Sequence, residues 1–273
     1  MKVWVDGLLA GEGDACVSPL DHGLLTGDGV FETLRVYNGV PFAVRRHLDR
    51  LARSCAGLEL PMPAADRLRA AMADVVAANG LVEGRLRVTV TGGPSPLGSE
   101  RGESQPTVIV AGSALEIWPE ATDVCIVPWP RNERGALAGL KTISYGENVV
   151  ALAFARRRGA GEAIFANTRG ELCEGTGTNV FVVSGGRVVT PPLSSGCLPG
   201  VTRDLLLELG LAVEETMSVG ALAAADEAFV TSSTREVQPV RAVDGGALAR
   251  APGPLTAAAT AAFRDLVARN PDP

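Results

Sequence analysis

Polar and apolar residues alternate without exception through Arg85-Leu86-Arg87-Val88-Thr89-Val90, which predicts a strand with one buried face. The strand-like run Val30-Phe31-Glu32-Thr33-Leu34-Arg35-Val36 is entered by the glycine-rich turn Thr26-Gly27-Asp28-Gly29 and closed by a turn at Asn38-Gly39. Ahead of it, MKVWVDGLLAGEG reads as a short strand and turn. Helical periodicity marks RRHLDRLARSCAGL and ADRLRAAMADVVAANG. In the second of these Leu68, Met72, Val75 and Val76 fall near one face and Gly80 stops the run. These elements predict a small N-terminal α/β domain over residues 1–113.

The stretch ALEIWPEATD, residues 114–123, breaks the pattern at Pro119 and its acidic residues and is expected to be an interdomain linker. Residues 124–273 then read as a larger C-terminal domain. Its elements are a strand at Val124 to Val127, a helix from Asn148 to Arg158 and a strand at Glu162 to Asn167. A hairpin of Asn179 to Val183 with Arg187 to Thr190 turns at Gly185-Gly186. A helix is expected after Thr202, a strand at Glu227 to Val230 runs into a Ser/Thr cluster, and PLTAAATAAFRDLVAR makes a closing helix.

Composition narrows the classes. The chain of 273 residues is 46% hydrophobic and 21% charged, enough apolar material for an enzyme-sized body with one large or two modest cores. A net charge of -6, with arginines interspersed among acids, argues against a nucleic-acid partner, which phosphate binding would mark with clustered Lys and Arg. Five cysteines, Cys16, Cys55, Cys125, Cys173 and Cys197, show no CxxC spacing, so neither a disulfide framework nor a zinc site is indicated, and a reducing cytoplasm is the expected setting. His22 and His47 are too scattered for a metal site. No apolar run approaches a membrane span, so no membrane partner is expected.

Of the 25 basic residues only Lys2 and Lys141 are lysine. Arginine cannot serve as an amine nucleophile, whereas a partly desolvated lysine can, so Lys141 is a candidate for covalent carbonyl chemistry. The count alone equally fits an arginine-rich chain with one lysine left on a solvated loop. Four neighbouring features bear on the choice. Leu198-Pro199-Gly200-Val201-Thr202 reads as an anion-binding helix start or an ordinary N-cap at Thr202. Thr231-Ser232-Ser233-Thr234 offers clustered hydroxyls for a phosphate, or a polar loop. Glu174, in the segment between two strands, suits a pyridine nitrogen or a solvated turn. Arg50, in Arg46-His47-Leu48-Asp49-Arg50-Leu51, is a bidentate phosphate ligand or a surface ion pair.

Taken together in this order, these residues resemble the class IV, fold-type IV pyridoxal-phosphate enzymes, a group containing branched-chain and D-amino-acid aminotransferases and aminodeoxychorismate lyase. The resemblance covers Gly27-Asp28-Gly29-Val30-Phe31-Glu32, His47 to Leu51, Leu140-Lys141-Thr142, Glu174-Gly175 with Asn179-Val180-Phe181, Leu198 to Arg203, and Asp226-Glu227 through Ser233. It implies an α/β fold with a small N-terminal domain and a larger pseudobarrel domain, a homodimer, and pyridoxal 5'-phosphate as cofactor. It further implies Lys141 as the Schiff-base lysine and Glu174 as partner of the pyridine nitrogen. Arg50, Val201, Thr202, Ser232 and Ser233 become the phosphate cup, with Leu198 against the ring.

The substrate side departs from the relatives. Leu97 and Ser99 stand where D-amino-acid enzymes carry an Arg-x-His carboxylate trap, and Phe31 stands where they have tyrosine. Arg35 and Arg101 are then the nearest candidates to bind a carboxylate. Thr33 with Arg35 also resembles the lyase, while branched-chain enzymes usually have glycine at the position of Thr33. Tyr145 and Asn148 suit either cofactor orientation or packing. The expected reaction is amino transfer from a D-amino acid, with tolerance for primary (R)-amines, to a 2-oxo acid. Release of 4-aminobenzoate and pyruvate from aminodeoxychorismate ranks second, and branched-chain L-amino acid transfer third.

Overall fold

The computed structural model describes residues 1–103, 105–115 and 117–273, leaving Ser104 and Glu116 outside the described residues, the latter within the expected linker. The chain folds as two compact units. The first comprises Met1–Glu116, Leu140–Tyr145 and Asn270–Pro273, and the second Ile117–Gly139 and Gly146–Arg269. This division differs from a linear reading of 1–113, 114–123 and 124–273, because two later segments return to the first unit. Both hydrogen-bond to backbone of that unit and so satisfy polar groups that would otherwise be left open.

The first unit contains β1 (Lys2–Val5), β2 (Leu8–Gly11), the short α1 (His22–Leu25), β3 (Gly29–Tyr37), β4 (Val40–Pro41), α2 (Val44–Gly57), α3 (Ala65–Asn79), β5 (Gly84–Thr91) and β6 (Val108–Ala114). Its strands form one antiparallel sheet in the order β2-β1-β6-β5-β3-β4. Val30, Leu34, Val36, Leu86, Val88 and Val90 form one face and bury against Leu48, Leu51, Leu68, Met72 and Val75 of the two helices. Gly80 adopts a left-handed conformation, φ 57°, at the end of α3, the stop its position in the sequence predicts. Strand alternation puts Phe31, Thr33 and Arg35 on the other face of the sheet, where Thr33 lies opposite Arg87 in register. Glu32 is the charged exception on the helix-facing side.

The second unit contains β7 (Thr122–Ile126), α4 (Gly146–Arg157), β8 (Glu162–Ala166), β9 (Leu172–Gly175), β10 (Asn179–Ser184), β11 (Arg187–Thr190), α5 (Val201–Glu208), β12 (Val213–Glu214), β13 (Glu227–Ser232), β14 (Glu236–Val243), β15 (Gly246–Ala247) and α6 (Pro254–Arg269). The mixed sheet runs β12-β11-β10-β13-β14-β7-β8-β9, with β15 on β14. Strands β9 and β10 are far apart in that order yet joined by only a tight turn, closed by Gly175 N–H donating to Thr178 O at 2.8 Å, so the sheet must roll back on itself as an incomplete barrel. Its core is built from Val124, Ile164, Leu172, Val180, Val182, Val230 and Val240. The antiparallel α/β unit and the rolled mixed sheet agree with the fold that the resemblance implies. Among the described residues no helix is long and apolar enough to cross a membrane, and no grouping of His, Cys, Asp and Glu could hold a metal ion.

Candidate active site

In the first unit the segment carrying Lys141 runs beside the start of β3. Phe31 N–H donates to Lys141 O at 2.9 Å, Ile143 N–H to Gly29 O at 2.9 Å, and Lys141 N–H to Ser54 Oγ at 3.1 Å. The half-buried Lys141 projects its Nζ to 4.4 Å from the centroid of the buried Phe31 ring. Arg87 lies over the same ring, with Cζ 3.7 Å from the centroid, and Tyr145 meets it edge-on at 5.3 Å. Burial pushes the Arg87 guanidinium below its ordinary pKa. Arg87 donates from Nε to Thr89 Oγ1 at 3.2 Å and has no carboxylate partner among the described residues. Sequence reading passed over this arginine because the polar face of an alternating strand looks solvated; its register opposite Thr33 was the usable signal.

Glu32 is buried against α2. Its Oε1 accepts Arg50 Nε at 2.7 Å, and its Oε2 accepts Arg50 Nη2 and contacts His47 Nδ1, both at 2.7 Å. Burial works against ionisation of Glu32, but the Arg50 charge, with hydrogen bonds from Arg50 and His47, outweighs it and holds the carboxyl well below the usual carboxylate range. Burial likewise pushes His47 down, against the pull of Glu32. Arg50 is therefore a buried ion-pair member and not a surface one.

The two arginines expected to take a substrate carboxylate are engaged elsewhere. Arg35 lies over Tyr37 at 4.6 Å with Nη2 3.4 Å from Glu83. Arg101 clamps Asp28 through two bonds of 2.6 Å. His22 adds a 2.7 Å contact from Nε2 to Pro96 O, tying the loop after β5 to the turn before β3. Gly92 is required there, since a Cβ would sit 2.3 Å from Asp28 Oδ2. Leu97 and Ser99 project from this loop, Leu97 being 78% exposed.

In the second unit Glu174 lies within β9 instead of in a connecting turn. Its Oε2 accepts Leu198 N–H at 2.9 Å, and its Oε1 lies 3.3 Å from Arg131 Nε. Arg131 stacks on Phe165 at 4.1 Å and donates from Nη2 to Asn148 Oδ1 at 2.8 Å, while Asn148 Nδ2 donates to Thr176 O at 2.8 Å. Arg131 Nε is buried and, among the described residues, not aligned for a hydrogen bond with any group. Nothing in the loop sequence around Arg131 marks it out.

Helix α5 starts at Val201, and Gly200 is its N-cap, without a side-chain cap; Thr202 is the second helical residue and not the cap. The first-turn amides of Val201 and Thr202 donate to no other group among the described residues. A Cβ at Gly200 would fall 1.9 Å from Asn179 Oδ1, and Asn179 Nδ2 holds Leu198 O at 2.8 Å. Strand β13, against which α5 packs, ends at Thr231 and Ser232. Among the described residues Thr231 Oγ1 is buried with no partner, and Ser232 Oγ accepts Arg235 N–H at 3.1 Å, which leaves the serine proton for another acceptor. An uncapped helix start beside hydroxyls, and a carboxylate held by the Leu198 amide, fit the phosphate and ring nitrogen of a pyridoxal cofactor. Burial pushes the thiols of Cys55, Cys125 and Cys197 up to about 11, which disfavours their thiolate forms.

Residues 29–243 match the family model for amino-transferase class IV. The chain belongs to the class IV aminotransferases, which use pyridoxal 5'-phosphate. Its fold superposes on a branched-chain aminotransferase from Thermoproteus uzoniensis, crystallised with norvaline, with a TM-score of 0.91 and 32% identity, covering 98% of this chain and 94% of that one. It is 33% identical to a D-alanine aminotransferase of Bacillus licheniformis over 94% of this chain and 93% of the relative. It is 32% identical to an aminodeoxychorismate lyase of Bacillus subtilis over 89% of this chain and 86% of the relative.

Proposed function

We propose that the chain transfers the amino group of a D-amino acid to a 2-oxo acid, with Arg87 holding the substrate carboxylate. The observation carrying this reading is the Arg87 guanidinium, without an acidic partner, on the ring that also carries Lys141 Nζ. When bound, pyridoxal phosphate supplies an aldehyde for condensation with amines and a ring that withdraws electrons from the substrate α-carbon. Lys141 would hold the cofactor, and its Nζ, when free as an amine, would move the proton at the substrate α-carbon. Glu174, fixed by Leu198 N–H and attracted by Arg131, would accept the N–H of the pyridine ring. The amides of Val201 and Thr202, the hydroxyls of Thr202, Ser232 and Ser233, and the Arg50 guanidinium would bind the phosphate, with Leu198 against the ring. Tyr145 orients the ring oxygen, and Phe31, Thr33 and Leu97 shape the substrate side. A homodimer is part of this reading, as is a cytoplasmic setting, which the five free cysteines suit.

The D-donor assignment is supported by the likeness to the D-alanine enzyme, 33% identical over 94% of this chain. Branched-chain L-amino acids are the second reading, favoured by the likeness to the norvaline-bound structure. Mixing the holoenzyme with D-alanine, L-leucine or aminodeoxychorismate decides between them. Transfer to 2-oxoglutarate is expected to be fastest from D-alanine. Faster transfer from L-leucine would install the branched-chain reading, and release of 4-aminobenzoate above either rate would make the protein a lyase.

Arg87→Met is expected to lower kcat/KM for amino acids by roughly 10- to 150-fold, the value of a charge-assisted hydrogen bond of about 1.5–3 kcal/mol, and to spare primary amines lacking a carboxylate. Equal losses on both substrate types would remove Arg87 from the site.

A further inference from the structure

Behind the Glu174 strand lies a second carboxylate that the chemistry above does not use. Glu162, 1% exposed on β8, accepts Thr176 N–H at 3.1 Å, the Thr176 hydroxyl, and Thr178 Oγ1 at 3.4 Å, so it gathers the whole turn that follows Glu174. Its other neighbour is Arg235, whose Nη2 stands 3.3 Å from Glu162 Oε2. Arg235 belongs to the turn between β13 and β14, where its own N–H donates to Ser232 Oγ. Its head is pinned on three further sides, by Gln238 Oε1 at 2.7 Å, Gly161 O at 3.3 Å and the Trp118 ring at 4.0 Å. Two turns at separate places in the chain are thereby joined through one buried ion pair.

We propose that Glu162 and Arg235 are positioning residues that lock the Glu174 turn to the Ser232–Ser233 turn, so that phosphate binding and the setting of the pyridine-side carboxylate are coupled. The inference rests on the assignment of Glu174 to the ring nitrogen and of Ser232 and Ser233 to the phosphate. A buried pair whose members are each held by further hydrogen bonds has few relaxed arrangements, and removing either partner leaves the other charge to find a new one. A shift of one turn then has to be transmitted to the other.

The test compares holoenzyme carrying Glu162→Gln, Arg235→Met or Arg235→Lys with the parent, using phosphorus NMR of the bound phosphate and nitrogen NMR of isotope-labelled cofactor. Glu162→Gln is expected to displace the phosphorus resonance although Glu162 sits under the Glu174 turn. Arg235→Met is expected to displace the ring-nitrogen resonance although Arg235 sits in the other turn. Each is expected to release cofactor about tenfold faster, within the range of measured couplings between contacting residues, and Arg235→Lys is expected to recover most of both signals. If each variant moved only the resonance of its own turn, or if both resonances stayed put while thermal stability fell, the coupling would be refuted. The double variant Glu162→Gln/Arg235→Gln keeps a neutral pair of similar size and is read in the same way should a single variant not fold. Thr202→Ala separates the two levels of argument, because an unchanged phosphorus resonance there would overturn the phosphate assignment itself.

Discussion

Lys141→Arg is expected to abolish amino transfer while leaving the fold in place. Arginine keeps a cation over the Phe31 ring and the backbone bonds to Phe31 and Ser54, so the segment 140–145 retains its anchors. What it loses is an amine that can attack an aldehyde and then carry a proton. A positioned proton carrier alone contributes about 10²- to 10⁴-fold, so a rate loss of about four orders of magnitude or more is expected. The measurement is turnover with saturating amino donor, accompanied by borohydride treatment of the parent and peptide mapping. Label on Lys2, or on no residue, would dismiss Lys141 from the role proposed for it.

Glu32→Gln is expected to destabilise the first unit by about 3–5 kcal/mol, because it breaks a buried ion pair and leaves the Arg50 charge without its carboxylate. The loss should depend on pH in a defined direction. Folding depresses the pKa of Glu32, so its contribution is complete above the unfolded carboxylate value of about 4.3 and is lost as pH falls toward the folded value. In urea titrations the gap between parent and variant is therefore widest at neutral pH and narrows steadily below about pH 4. A gap that stayed constant down to about pH 3 would show that packing, and not the charge pair, is the source.

Elements with an unbroken period were legible in the sequence. The alternation around Arg87 marked β5, and the apolar stripe of α3 with Gly80 behind it marked that helix and its end. Strand β14 was not, because Gln238, Pro239 and Arg241 interrupt its pattern and its place is fixed by pairing on both sides. Strand β9 was hidden by its length, four residues with a glutamate and a glycine among them. The residues assigned to the cofactor were read from a family pattern, which carries no signal for the contacts that support them. That Glu32 pairs with Arg50 and His47 follows from the helix α2 lying on one face of β3, which no local signal encodes. Arg131 owes its importance to Phe165 and Glu174, both remote from it in sequence.

The first unit is assembled from pieces of chain made at very different times. β3 offers Phe31 N–H to Lys141 O and pairs Val30 with Thr142, so in a nascent chain that has reached residue 116 the start of β3 is still short of partners. Helix α2 begins without a side-chain cap, and its opening amides, Ala43 and Arg45, wait for Pro271 O and the Asp272 carboxylate. Contacts so distant along the chain must meet a loop-closure cost before they reward it, and they form late. The N-terminal half of this protein can therefore collapse early but not finish. Its final order arrives with the lysine segment and with the residues that follow α6, so chains interrupted between them would carry a first unit whose β3 is complete and whose α2 is still frayed.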